Sequence, residues 1–136
     1  MDIDGGCLCG AVRFEAEANP RQVVICHCTD CQTHSGSAFR AVVGVRADSV
    51  RMKGELKIFE KRADSGAIRR LAFCPECGTP IYGGPAKGED GLLNFRVGAV
   101  RQRDELRPVA QVWCRSSQEW LSGLPDLPRV ETQPEK

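Results

Sequence analysis

The residues of this chain best suited to chemistry are its cysteines, eight in 136 residues, and seven of them fall into tight groups. Cys7-x-Cys9, Cys26-x-Cys28-x-x-Cys31 and Cys74-x-x-Cys77 each fold a short stretch of backbone around a common point, while Cys114 stands alone. Turns of this kind bring thiolates to about 2.3 Å from a shared zinc ion, and backbone N–H groups of the turn donate to the sulfurs. Gly10 follows Cys9 and Gly78 follows Cys77, as expected where the chain reverses sharply after a ligand with no Cβ in the way. Zinc takes four ligands in a structural site and three plus an exchangeable position in a catalytic one, so seven thiolates divide as four and three. The division that keeps local pairs whole joins Cys7 and Cys9 to Cys74 and Cys77, and leaves Cys26, Cys28 and Cys31 together in one loop. Two alternatives stand beside it. A ribbon of Cys28, Cys31, Cys74 and Cys77 would orphan Cys7, Cys9 and Cys26, and His34, three residues after Cys31, could close the second site as a structural one. His27, flanked by two ligands, reads as a solvent-facing or supporting group. Cys114, following Val112 and Trp113 in a strand-like run, reads as a small core residue.

These turns need a frame, and the sequence between them is strand-like. In residues 10–18, Val12, Phe14 and Ala16 alternate with Arg13, Glu15 and Glu17, the period of a half-buried strand. A β-branched run at 22–25 enters the central cysteine group and an apolar run at 38–45 leaves it, which puts that group on a turn between strands. Further strands are expected at 49–53, 56–61, 68–73, 92–100 and 109–114, separated by Gly, Pro and Asp. Helix is scarce: one or two turns at 29–35 closed by Gly36, and a short helix at 116–122 opening on Ser-x-x-Glu, a capping-box pattern. The expected architecture is mainly β with one or two short helices, a zinc-stapled domain over residues 1–122, and a flexible tail over 123–136 containing Pro125, Pro128 and Pro134.

Composition narrows the function classes. The hydrophobic fraction of 41% and charged fraction of 27% are those of a globular domain. Nineteen basic residues against eighteen acidic ones leave no overall field to attract nucleic acid or an anionic membrane. The first residues have neither the basic start nor the apolar run of a secretory signal, so the expected location is cytoplasmic, where clustered cysteines serve metals more often than disulfides. No Ser/His/Asp arrangement and no phosphate-binding glycine loop occurs in its expected setting, which argues against nucleophilic hydrolysis and nucleotide chemistry.

Three ordered motifs carry a resemblance. They are Gly5-Gly6-Cys7-Leu8-Cys9-Gly10-Ala11-Val12, the stretch from Cys26-His27-Cys28 through Ser35-Gly36-Ser37-Ala38-Phe39, and Phe73-Cys74-Pro75-Glu76-Cys77-Gly78-Thr79-Pro80-Ile81-Tyr82. Together they resemble the glutathione-dependent formaldehyde-activating enzyme family, also called the centromere-protein-V/Gfa domain family, over roughly residues 4–122. The resemblance implies a β-tent fold, a structural zinc on Cys7, Cys9, Cys74 and Cys77, and a second zinc on Cys26, Cys28 and Cys31. It implies a carbon–sulfur lyase that condenses formaldehyde with glutathione or runs the reverse reaction. Relatives often carry basic residues where Gln32 and Thr33 stand, and a His near the position of Gln111.

The expected function is therefore that of a two-zinc enzyme adding a small thiol such as glutathione to an aldehyde such as formaldehyde, or the reverse. Cys26, Cys28 and Cys31 would be its open site, and the hydroxyls and N–H groups of Ser35, Gly36 and Ser37 are candidates to orient the substrate. The competing expectation is a zinc-stapled protein-binding module without catalysis, since structural zinc alone is worth roughly 10–16 kcal/mol in zinc-finger peptides. A third, thiol redox chemistry, would have to rest on Cys114.

Overall fold

The computed structural model describes residues 1–134. Nine strands are present among them: β1 (Asp2–Gly6), β2 (Arg13–Cys26), β3 (Arg40–Arg46), β4 (Arg51–Lys53), β5 (Lys57–Arg62), β6 (Ile68–Phe73), β7 (Pro80–Pro85), β8 (Leu92–Arg96) and β9 (Ala110–Val112). One α-helix, α1 (Thr29–Ser35), links β2 to β3, and several 3₁₀ turns complete the chain. The protein is mainly β and almost wholly antiparallel, only β9 running parallel to its neighbour β2.

β2 organises the molecule. The two expected runs at 10–18 and 22–25 fuse into one strand of 14 residues, with an exposed Pro20 carried at a register shift between Asn19 and Val23. Proline has no N–H to give a ladder, and an irregularity of this kind is where a strand tolerates it. Up to Glu17 β2 pairs with β1 and β4, and from Ala18 onward, on both sides of the shift, with β3, joined after the shift by β9, so one strand belongs to two sheets. The larger sheet continues in the order β2-β3-β8-β7-β6-β5.

The core fills the angle between the sheets. Ile3, Phe14 and Ala16 face Val23, Val43, Val45 and Phe95, with the Phe14 and Phe95 rings edge to face at 4.7 Å. Phe95 is fully buried, and removing such a ring costs about 3–5 kcal/mol.

Two strands were not legible in the sequence. β1 contains Gly5-Gly6, and Gly5 packs against the Ala99 backbone so closely that a Cβ would clash with its carbonyl oxygen. β7 reads Pro-Ile-Tyr-Gly-Gly-Pro, which carries turn residues but is pinned between β6 and β8. The expected capping-box helix at 116–122 is displaced: a 3₁₀ helix occupies Glu119–Asp126, with Gln118 as N-cap and no side-chain cap. Ser116 belongs instead to the preceding 3₁₀ turn, Cys114–Ser116. The later helix carries regular structure past residue 123, where the tail was expected to begin; residues 135–136 of that tail lie outside those described. Among the described residues no helix is long and apolar enough to cross a membrane.

Candidate metal centres

The cysteines converge in two groups, and in each group the Sγ atoms all lie within 4.8 Å of one another. The first joins Cys7, Cys9, Cys74 and Cys77, and the second joins Cys26, Cys28 and Cys31. The ribbon of Cys28 and Cys31 with Cys74 and Cys77 is not formed.

The four-cysteine group is made from two knuckles that approach at the rim of the core. Cys7 and Cys74 are buried in the core cluster, whereas Cys9 and Cys77 reach the surface. Gly10 and Gly78 have φ of 85° and 77°, the left-handed backbone that turns the chain directly after a ligand. The sulfurs of Cys7 and Cys9 are 3.6 Å apart and those of Cys9 and Cys74 3.8 Å, against a tetrahedral edge of about 3.8 Å for bonds of about 2.3 Å. Backbone N–H groups of Val12 and Glu76 donate to Cys7 and Cys74 at 3.1 and 3.4 Å, and Thr79 Oγ1 lies 3.1 Å from the Cys77 sulfur.

The three-cysteine group is local. Cys26 ends β2, Cys28 caps α1 with its sulfur accepting from the Cys31 N–H at 3.2 Å, and Cys31 lies in the first turn of that helix. α1 is held in place by Lys61 of β5, whose ammonium meets Asp30 at 2.8 Å, and by Gln32, whose amide donates to the carbonyls of His27 and Ser116.

Electrostatics supports a cation in both groups. The Thr79 hydroxyl and N–H hold Cys77 down to about 5. The Ala11 N–H favours the Cys9 thiolate, but Cys7, burial and the other sulfurs outweigh it and push that thiol up to about 12. In the second group burial, then Cys28 and Cys26, push Cys31 up to about 12, while the Cys31 N–H and the neighbouring sulfurs bring Cys28 down in spite of its burial. Sulfurs this close cannot all be anionic unaided, and a divalent ion removes the conflict. Tetrahedral spacing, an all-thiol donor set and N–H donors to sulfur fit zinc.

The surroundings differ. The second group opens into a cavity of about 1090 Å³ on the face of the larger sheet turned away from the core. Register explains the lining: Cys26 pairs with Arg40, Val42 with Arg96, and Gly44 with Asn94, which in turn pairs with Gly83. Gly83 makes room for a long side chain, since a Cβ there would come within 2.8 Å of Arg96 Nη2. Six basic residues, Arg21, Arg40, Lys61, Arg69, Arg96 and Arg115, line the cavity against two acidic ones, Asp30 and Asp64. A nearly neutral chain thus gathers an excess of basic residues at one place.

His34 does not join the sulfurs. Its Nδ1 accepts a hydrogen bond from Arg40 Nη2 at 2.6 Å, and burial followed by the Arg40 charge lowers its pKa, so the ring is neutral at pH 7 with its proton on Nε2. Of the two roles expected of His27, the solvent-facing one does not hold: it is 2% exposed, packs edge to face on Phe39, and bonds through Nε2 to Gln111 Oε1 at 2.7 Å. The chain closes over it because the Val112 carbonyl of β9 accepts the His27 N–H. Cys114 is exposed, not core. β9 ends at Val112 and Trp113 turns the chain with φ 57°, the one positive φ outside glycine among the described residues, so Cys114 leaves the strand. Ser35, Gly36 and Ser37 are absent from the cavity lining, and the N–H groups of Gly36 and Ser37 are spent on the carbonyl of Gln32 at the end of α1. Arg40 and Arg96 were not foreseen; a lone arginine in a strand gives no sign of burial until the register places it.

A family model described as glutathione-dependent formaldehyde-activating enzyme matches residues 2–116. A crystal structure of a Rhodobacter sphaeroides protein shares the fold, with a TM-score of 0.61 and 20% sequence identity over 80% of this chain and 99% of that one. No curated protein matches the chain.

Proposed function

The chain belongs to the glutathione-dependent formaldehyde-activating enzyme family, and from that premise we propose that it is a zinc enzyme joining a small thiol, such as glutathione, to an aldehyde, such as formaldehyde, or running the reverse. The observation that carries this reading is the convergence of Cys26, Cys28 and Cys31 at a basic cavity, with no fourth Cys, His, Asp or Glu in the group among the described residues. Cys7, Cys9, Cys74 and Cys77 would hold a structural zinc, and Cys26, Cys28 and Cys31 a second one. Bound there, zinc supplies the Lewis acidity that lowers the pKa of a thiol.

The chain's own residues account for the rest. Arg40, Arg96 and Lys61 create a positive potential that favours the anionic form of an incoming thiol over the neutral one. The cavity confines two small reactants near each other, which removes part of the entropy cost of their encounter from the barrier. As sulfur adds to the carbonyl carbon, the C–S bond forms and the C=O π pair moves onto oxygen, which takes up the proton lost by the thiol. His34, with Nδ1 occupied by Arg40 and its proton on Nε2, is a neutral hydrogen-bond donor at the cavity wall suited to that oxygen.

Metal content and thiol binding test the reading together. Freshly prepared, metal-protected protein should contain two zinc ions per chain, and the spectrum of a cobalt-substituted form should change on addition of glutathione or another small thiol. One zinc per chain, or a cobalt spectrum unmoved by every thiol tried, would overturn it.

A further inference from the structure

Arg40 is a buried cation and Arg96 a half-buried one, and neither forms an ion pair with a carboxylate among the described residues. Arg40 is 5% exposed, and its hydrogen bond goes to the neutral His34 ring rather than to a carboxylate. Arg96 Nε is buried with no partner, and its Nη1 reaches only the Asn94 carbonyl, at 3.4 Å. The ion pairs of the described residues are formed by Arg46, Arg51, Lys61 and Arg101 instead. Burying a guanidinium without a carboxylate is costly, and burial followed by the nearby Arg40 charge pushes Arg96 down to about 9. Both side chains line the cavity, on the same sheet face as Cys26 and with Arg69 beside them.

The sulfurs answer only part of this charge. Three thiolates around a divalent ion carry a single net negative charge, and a bound substrate thiolate adds one more. With Lys61 paired to Asp30, the cavity keeps Arg21, Arg40, Arg69, Arg96 and Arg115 against Asp64, so positive charge remains to be met after both. A planar guanidinium presents forked N–H groups that match a carboxylate. We propose that Arg40 and Arg96 form a recognition site for a carboxylate carried by one of the two reactants, adjoining the Cys26/Cys28/Cys31 group. The identity of the reactants as thiol and aldehyde rests on the function proposed above; the recognition of the anion rests on the two arginines.

The test is binding to the zinc-loaded protein by calorimetry at constant ionic strength, with two matched pairs of probes. On the thiol side, 3-mercaptopropionate is compared with 2-mercaptoethanol; on the aldehyde side, glyoxylate with acetaldehyde. The carboxylated member of at least one pair should bind about tenfold tighter or more, as expected of a charge-assisted forked contact, and the pair that discriminates identifies which reactant bears the anion. In Arg96→Gln and in Arg40→Lys, each confirmed as folded by circular dichroism, that preference should shrink to about threefold or less. No preference in either pair, or a preference undiminished in both variants, overturns the proposal. Turnover is measured separately: an arginine-dependent preference without carbon–sulfur bond formation would keep the anion site and defeat the thiol–aldehyde reading.

Discussion

The two cysteine groups use the same ligand and differ in almost everything around it. Cys7 and Cys9 meet Cys74 and Cys77 across more than sixty residues of chain, with Cys7 and Cys74 embedded in the core. Cys26, Cys28 and Cys31 lie within one short loop and helix turn, half-buried, with Arg40, Arg96 and Lys61 on the cavity walls. A cross-link between distant segments closes a long loop and so stabilises the fold strongly, whereas a local one closes a loop that secondary structure already defines. The difference supports the proposed division of labour, in which the first group would hold the fold together and the second would be free to serve the cavity.

The comparison breaks most readily at the first group. Cys74→Ser should remove one zinc per chain and most of the stability, because structural zinc is worth roughly 10–16 kcal/mol in small domains and Cys74 is fully buried. Circular dichroism of the variant should show loss of cooperative melting; a well-folded Cys74→Ser chain would mean that this group is not structural. Cys28→Ser should leave the melting temperature within a few degrees of wild type while lowering carbon–sulfur bond formation by about 100-fold or more, the scale expected when the acid activating a nucleophile is lost. If that variant unfolds like Cys74→Ser, the division of labour is false.

The smallest effect concerns His34, which belongs to the second region alone. Its pKa lies below the ordinary 6.5, with burial the leading cause and Arg40 next. The unfolded chain therefore binds the proton more readily, and the stability gained from the neutral ring is complete above about pH 6.5 and is lost as pH falls towards the folded pKa. His34→Gln keeps a polar side chain but cannot titrate. Melting temperatures of the two proteins, compared from pH 8 to pH 5.5, should differ by an amount that changes below pH 6.5, with wild type losing more; a constant difference would show that the Arg40–His34 contact does not respond to protons.

Much of the first group was legible in advance. The Cys-x-Cys and Cys-x-x-Cys spacings and the glycines behind them are short-range features, and the observed φ values at Gly10 and Gly78 follow from the need to turn after a ligand. Strand β6 and helix α1 occupy the ranges expected of them, since a short run of strand-forming residues between turn signals and a short segment stopped by glycine are also local signals. β1 and β7 escaped because their glycines and prolines mark turns in any short window, and only neighbouring strands on both sides, or the Ala99 backbone at Gly5, make them extended. Cys114 was misread for the converse reason: Val112 and Trp113 look like strand interior, but the strand is an exposed three-residue edge.

The sequence by itself determined that this chain would gather thiols for a metal, because the geometry of a knuckle is contained in four or five consecutive residues. Only the tertiary structure decided which knuckles meet, and that two arginines from β3 and β8 are drawn under the second group and left without a carboxylate. Those depend on strand register, which is set by how one sheet face buries against the core, and a shift of a single residue would have turned Arg40 and Arg96 to the other side.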